Sequence, residues 1–127
     1  MRAVKIDLLD PSDNYEVRKT VKEVIATNVV EAAGFFGKLS GLITRKKLKD
    51  SEGFLIKNCN SIHTIGMRYS IDAVFLDEKN YVLKIYCNIK PFRVTPFIKD
   101  AFYVLETAAG TIKKTSLKEK DLVYFEV

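Results

Sequence analysis

The chain has little of what most recognisable active sites are built from: one histidine, two cysteines and no tryptophan in 127 residues. His63, Cys59 and Cys87 cannot complete a four-ligand structural zinc site without carboxylates, and no Cys-x-x-Cys or His-x-x-x-His spacing occurs. Adding Asp72 and Glu106 supplies ligands but no such spacing, so no metal is expected. Two cysteines are too few for a disulfide framework, and both are read as reduced thiols. Apolar runs stay short of the ~20 residues that cross a bilayer; even Ile71 to Leu76 is broken at Asp72. Lys5 and Asp7 stand where a secretory signal would need a continuous apolar stretch. A soluble, cytoplasmic chain without membrane association is therefore expected. Gly34, Gly37 and Gly41 do not follow a strand in a phosphate-cradling pattern and lead to no Gly-Lys-Ser/Thr ending, so no nucleotide or other cofactor is expected.

What is present is a globular composition. A hydrophobic share of 47% and a charged share of 29% set the chain apart from disordered sequences. A single domain over residues 1–127 of this size buries about two-thirds of the surface its unfolded chain exposes. The formal charge of +5 favours acidic surfaces in general. Its densest clusters, Arg45-Lys46-Lys47 with Lys49 and Lys113-Lys114 with Lys118 and Lys120, are not interleaved with aromatics. They read as solvated surface, and no specific nucleic acid is expected.

Val4, Ile6 and Leu8 alternate with Lys5 and Asp7, the period-two pattern of a half-buried strand, which Asp10-Pro11-Ser12-Asp13-Asn14 ends. A second strand is expected over Val21 to Val30, rich in β-branched residues. Phe35, Leu39, Leu42 and Ile43 then fall at helical spacing, with Arg45, Lys46 and Lys47 at the end where cations suit the helix dipole; one short helix is expected. From residue 53 onward the pattern is strands. Gly53 to Lys57 is one, and Ile71 to Leu76 is apolar on both faces except at Asp72, as in a central strand. Tyr81, Leu83, Ile85 and Cys87 alternate with polar neighbours after a hairpin loop at Asp77 to Asn80, where Asn80 suits a left-handed backbone. Ile89 to Asp100, with Pro91 and Pro96, reads as a long connection, and Ala101 to Glu106 and Leu122 to Val127 close the series. The expected fold class is mainly β: a single-domain β-sandwich or jelly-roll-like flattened barrel with one short helix across it.

Three stretches together resemble the domain-of-unknown-function 192 family of bacteria and archaea. Cys59 to Asp77, CNSIHTIGMRYSIDAVFLD, is similar over its whole length to the family's central signature. Phe35 to Arg45 resembles the helix before it, and Tyr103 to Thr111 and Asp121-Leu122 resemble its closing motifs. The resemblance covers roughly residues 20 to 127. Tyr69-Ser70 departs from the family's aromatic-proline pair, and Phe36 stands where tryptophan is frequent. A compact, mainly β domain is what the resemblance implies; it brings no agreed activity.

His63 and Asp72 are the residues with most chemical potential. If Gly66 to Tyr69 makes a tight reversal, the flanking strands pair and bring His63 near Asp72, and a histidine oriented by a carboxylate is half of a nucleophile triad. No nucleophile elbow or glycine-lined oxyanion turn accompanies them, and the simpler reading is a polar cluster in which His63, Thr64 and Asp72 bond one another. Asp72 shares a strand face with Val74 and Leu76, so it needs a cation, for which Arg45 and Arg68 are candidates, or several N–H donors. Glu106 is placed at a strand end, capping the turn at Ala108 to Gly110. Ser61, His63 and Ile65 share one face of a strand, with Ile65 packing beneath. The leading expectation is a non-catalytic accessory or binding domain, monomeric or weakly dimeric, whose polar concavity of Ser61, His63, Met67, Asp72 and Arg93, with Arg45 nearby, contacts a small ligand, a peptide or a protein. The alternatives are a hydrolase-like enzyme using His63 and Asp72, and a structural module of a secretion or pilus-type assembly, which the resemblance suggests.

Overall fold

The computed structural model describes residues 1–8, 19–32 and 47–127, with side chains at 7, 8, 19 and 20 excepted. Eight strands run in order β1 (Arg2–Leu8), β2 (Lys19–Ala26), β3 (Asn28–Glu31), β4 (Glu52–Lys57), β5 (Ile71–Leu76), β6 (Val82–Ile89), β7 (Tyr103–Ala108) and β8 (Leu122–Glu126). Among the described residues one 3-10 turn covers Ile112–Lys114. The helix expected at Phe35 to Lys47 lies, apart from Lys47, outside the described residues.

Two sheets result. The smaller has strand order β2-β1-β8 and the larger β3-β4-β7-β5-β6. All neighbours are antiparallel except β3 and β4. The stretch expected to be one strand from Val21 to Val30 is two, because a bend at Thr27 carries the chain from one sheet to the other. Hydrogen bonds tie the sheets at two corners: Val29 N–H to the Met1 carbonyl (2.7 Å), and Val82 N–H to the Asp121 carbonyl (2.8 Å) with Val123 N–H to the Asn80 carbonyl (3.0 Å). The mainly β, two-sheet architecture is as expected, but the sheets are not closed into a barrel.

The three inner strands of the larger sheet, β4, β7 and β5, are buried on both faces, whereas β3 and β6 at its edges are largely open. Val74 and Leu76 of β5, Leu55 of β4 and Leu105 of β7 face the smaller sheet, where Ala3, Ile25 and Val123 meet them. Gly53 belongs to this side, and a Cβ there would meet Leu105 Cδ1 at 3.1 Å and Val29 Cγ2 at 3.2 Å, so the side chains of the two flanking strands close tightly over the space it leaves. The intervening residues Ile71, Ala73 and Phe75 point the other way, with Phe54, Ile56 and Val104. All six residues of β5 are buried, which is why its sequence is apolar at both parities. Each of its large side chains contributes about 1.5 to 3 kcal/mol of burial.

Candidate functional site

Asp72 is the one charged residue of β5, and its side chain is fully buried. Alternation places it with Val74 and Leu76 on the face toward the smaller sheet. There its carboxylate accepts three backbone hydrogen bonds: Asn88 N–H to Oδ1 at 2.7 Å, and Gly110 and Ile112 N–H to Oδ2 at 3.1 and 3.0 Å. Gly110 makes the convergence possible. Its φ of +91° is a conformation L side chains rarely adopt, while a Cβ there would meet nothing within 4 Å, so backbone and not space requires glycine. Of the two alternatives expected, a cation or several N–H donors, the described residues supply the donors, which offset the desolvation of the carboxylate. Arg68 is exposed, and Arg45 lies outside the described residues. Asp72 also acts on Cys87: partial burial, and then this carboxylate, push the Cys87 thiol above its usual range, while Lys113 works in the opposite direction. Neither Cys59 nor Cys87 is in a disulfide.

The far face of the larger sheet is covered by two irregular segments, residues 58–70 and 90–102. They run alongside each other through Thr64 N–H to the Arg93 carbonyl (2.8 Å), Thr95 N–H to the Ile62 carbonyl (2.9 Å) and Ile98 N–H to the Asn60 carbonyl (2.8 Å), with an isolated bridge between His63 and Val94. Two threonines complete this pairing. The Thr64 hydroxyl donates to the Lys90 carbonyl at 2.7 Å and accepts from Arg93 N–H at 2.9 Å. The Thr95 hydroxyl accepts from Ile62 N–H at 2.9 Å. The reversal falls at residues 64–67, closed by Met67 N–H to the Thr64 carbonyl, so the strand entering it pairs with residues 93–95 and not with β5.

Alternation along the cover decides what faces out. Ile62, Thr64 and Met67 point inward, and Ile62 and Met67 pack against Ile71, Phe75 and Val104. Ser61, His63 and Ile65 point outward; Ile65 is 50% exposed and does not pack beneath the other two. From the neighbouring segment Phe92, Val94 and Phe97 stand out at 67%, 66% and 69% exposure. Phe92 has a φ of +62°, uncommon for a bulky residue, and hydrogen bonds from its own N–H and that of Arg93 to Thr64 hold it there. Arg68, Lys90, Arg93 and Lys99 are exposed on the same two segments, and among the described residues none of the four joins an ion pair.

The residues singled out from sequence thus separate. Ser61 and His63 lie on the outer face of the cover, while Arg93 is exposed but stands opposite the inward Thr64. Met67 is 3% exposed and acts in packing. Asp72 lies on the opposite side of the sheet, so His63 and Asp72 form no hydrogen bond, and the cluster expected between His63, Thr64 and Asp72 does not assemble. One ring nitrogen of His63, Nδ1, is buried without a hydrogen-bond partner. Glu106 stands inside β7, fully buried and in register between Phe54 and Ala73, not at a strand end. No group of three His, Cys, Asp or Glu side chains is placed to hold a metal among the described residues. Sequence reasoning missed Phe92, Val94 and Phe97. The available signal was the run Lys90 to Lys99, in which Pro91 and Pro96 bar a regular ladder while apolar residues alternate with cations.

Fold and site together define a small two-sheet β domain whose larger sheet carries a loop-built cover. The chain belongs to the domain-of-unknown-function 192 family (DUF192, Uncharacterized ACR), whose model matches residues 16–125. Among curated proteins none matches. A protein of unknown function from Novosphingobium aromaticivorans DSM 12444 superposes with a TM-score of 0.70 at 18% identity, covering 98% of this chain and 84% of that one. A protein from Sinorhizobium meliloti 1021, described as a candidate transcription regulator, gives a TM-score of 0.70 at 19% identity over 97% of this chain and 92% of that one. At these identities the likeness is one of fold.

Proposed function

We propose that the domain is a non-catalytic binding module that docks a partner polypeptide on the outer face of its cover, through Phe92, Val94, Phe97 and Ile65 with Ser61, His63 and Arg93 among them. The observation that carries this reading is the cluster of four large apolar side chains half to two-thirds exposed on one pair of segments. Apolar patches rimmed by polar groups are the usual mark of an interaction surface. The backbone spends an uncommon conformation at Phe92 to hold one of them out. The binding residues expected from sequence shift accordingly: Ser61, His63 and Arg93 remain, while Met67 and Asp72 serve the core.

The enzyme alternative loses its pair, since a base must lie within about 3 Å of its partner groups and His63 and Asp72 are separated by the sheet. A module of a larger assembly is a special case of the same surface. The test compares the parent with His63→Ala in an esterase, phosphatase and peptidase screen, with thermal unfolding followed in parallel. No difference in turnover is expected. Turnover in the parent that disappears in a folded His63→Ala variant would overturn the non-catalytic reading.

A further inference from the structure

We infer that the occupant of this face is an acidic polypeptide segment carrying apolar anchors; the inference rests on the reading of the cover as a binding surface and specifies its partner. Within residues 58–70 and 90–102 the charged side chains are Arg68, Lys90, Arg93 and Lys99, against the single acid Asp100. The ion pairs among the described residues, Arg2–Glu126, Lys5–Asp121, Lys57–Glu31, Lys84–Glu119 and Lys114–Asp50, all lie off the cover. Its four cations are exposed and, among the described residues, join no ion pair, on the same two segments as the exposed Phe92, Val94 and Phe97. A partner that fits this face carries negative charge around apolar residues.

The other occupants fit less well. A second copy of the chain, placed face to face about a two-fold axis, would set these cations against their own kind on a molecule already at +5. A small anion needs a concave site, and side chains that keep about two-thirds of their surface free do not line one. A nucleic acid would find two phenyl rings, but Val94 and Ile65 between them offer no stacking surface. An anionic bilayer shares the charge logic. Its phosphate and ester oxygens would, however, only accept hydrogen bonds from Ser61 and His63, which alternate with the apolar residues, whereas a polypeptide backbone brings both N–H and C=O groups.

The test is selection from a random peptide display library on the immobilised full chain, repeated on Phe92→Ser/Phe97→Ser and on Lys90→Glu/Arg93→Glu. All four positions are exposed, and thermal unfolding confirms that the variants fold. Winning peptides rich in Asp and Glu around aromatic or aliphatic residues are expected. Their binding should drop roughly tenfold between low and high salt, drop at least about as much on the charge-reversed variant, and vanish on the serine variant. Neutral or basic winners that still require Phe92 and Phe97 would overturn the acidic partner while leaving the binding face intact. The absence of any winner dependent on the two phenylalanines would overturn both. Sedimentation with phosphatidylglycerol vesicles in that case would assign the face to a membrane.

Discussion

The two faces of β5 are equally buried but covered in different ways. On one side Val74 and Leu76 meet the smaller sheet, whose strands satisfy most of their backbone polar groups in ladders. On the other, Ile71, Ala73 and Phe75 lie beneath segments without a regular ladder. A sheet brings its own hydrogen bonding, whereas an irregular cover must find partners one group at a time. Here the hydroxyls of Thr64 and Thr95 supply them. The difference teaches where function has room. Inward polar residues of the cover are committed to holding it down, and only outward ones are available to a partner.

The strongest challenge to this comparison is Phe75→Ala. Phe75 is fully buried under the cover and meets Tyr86 edge to face at 5.9 Å. Its loss should cost about 3 to 5 kcal/mol in urea denaturation, on a par with Leu105→Ala on the sheet-covered side. A cost under about 1 kcal/mol would show a cover too loose to count as core. Asp72→Ala is next. With three N–H donors left unpaired, it should lower stability by about 2 to 3 kcal/mol, and an unchanged denaturation midpoint would remove the carboxylate clasp from the account. Thr64→Val should cost about 1 to 2 kcal/mol and speed amide exchange at Arg93 while Ile112 stays protected. Uniform acceleration at both would mean that the two sides do not open separately.

A fourth measurement reads charge and not stability. Because burial and the Asp72 carboxylate both disfavour the thiolate, alkylation of Cys87 by iodoacetamide should inflect at higher pH in the folded chain than in urea, and Lys113→Ala should move the inflection further up. An inflection at or below that of the denatured chain would contradict the burial of charge beside Cys87. The smallest effect is expected from Phe92→Ser and Phe97→Ser, each within about 0.5 kcal/mol of the parent. A larger loss would make these rings part of the fold and shrink the surface left for binding.

Much of the ladder could be read from residue patterns. Ile71 to Leu76 is β5 at both ends, and Asn80 takes the left-handed turn conformation expected of it, with φ at +72°. These features are local, set by alternation and turn chemistry. The bend at Thr27 was not legible, because β-branched residues continue through it and one residue changes sheets without changing composition. β7 runs to Ala108, two residues past the expected end, because Glu106 has a low strand propensity and reads as a strand end while tertiary packing buries it. The site failed for a related reason. His63 and Asp72 lie nine positions apart in one motif, and sequence proximity does not reveal that a sheet stands between them. The outward set at Phe92, Val94 and Phe97 depends on pairing with residues 60–65, which no local pattern encodes.

The smaller sheet has a consequence for how the chain is made. β1 is its central strand, and β8, residues 122–126, is one of its two partners, with Arg2 opposite Glu126. A chain leaves the ribosome N-terminal end first, so β1 waits with one edge open until residues 122–126 have been synthesised. The larger sheet, whose strands end at Ala108, can assemble first and offer β1 a surface to rest on. Closing so long a loop late makes for slow folding, and during that interval β1 is the segment most exposed to wrong pairing.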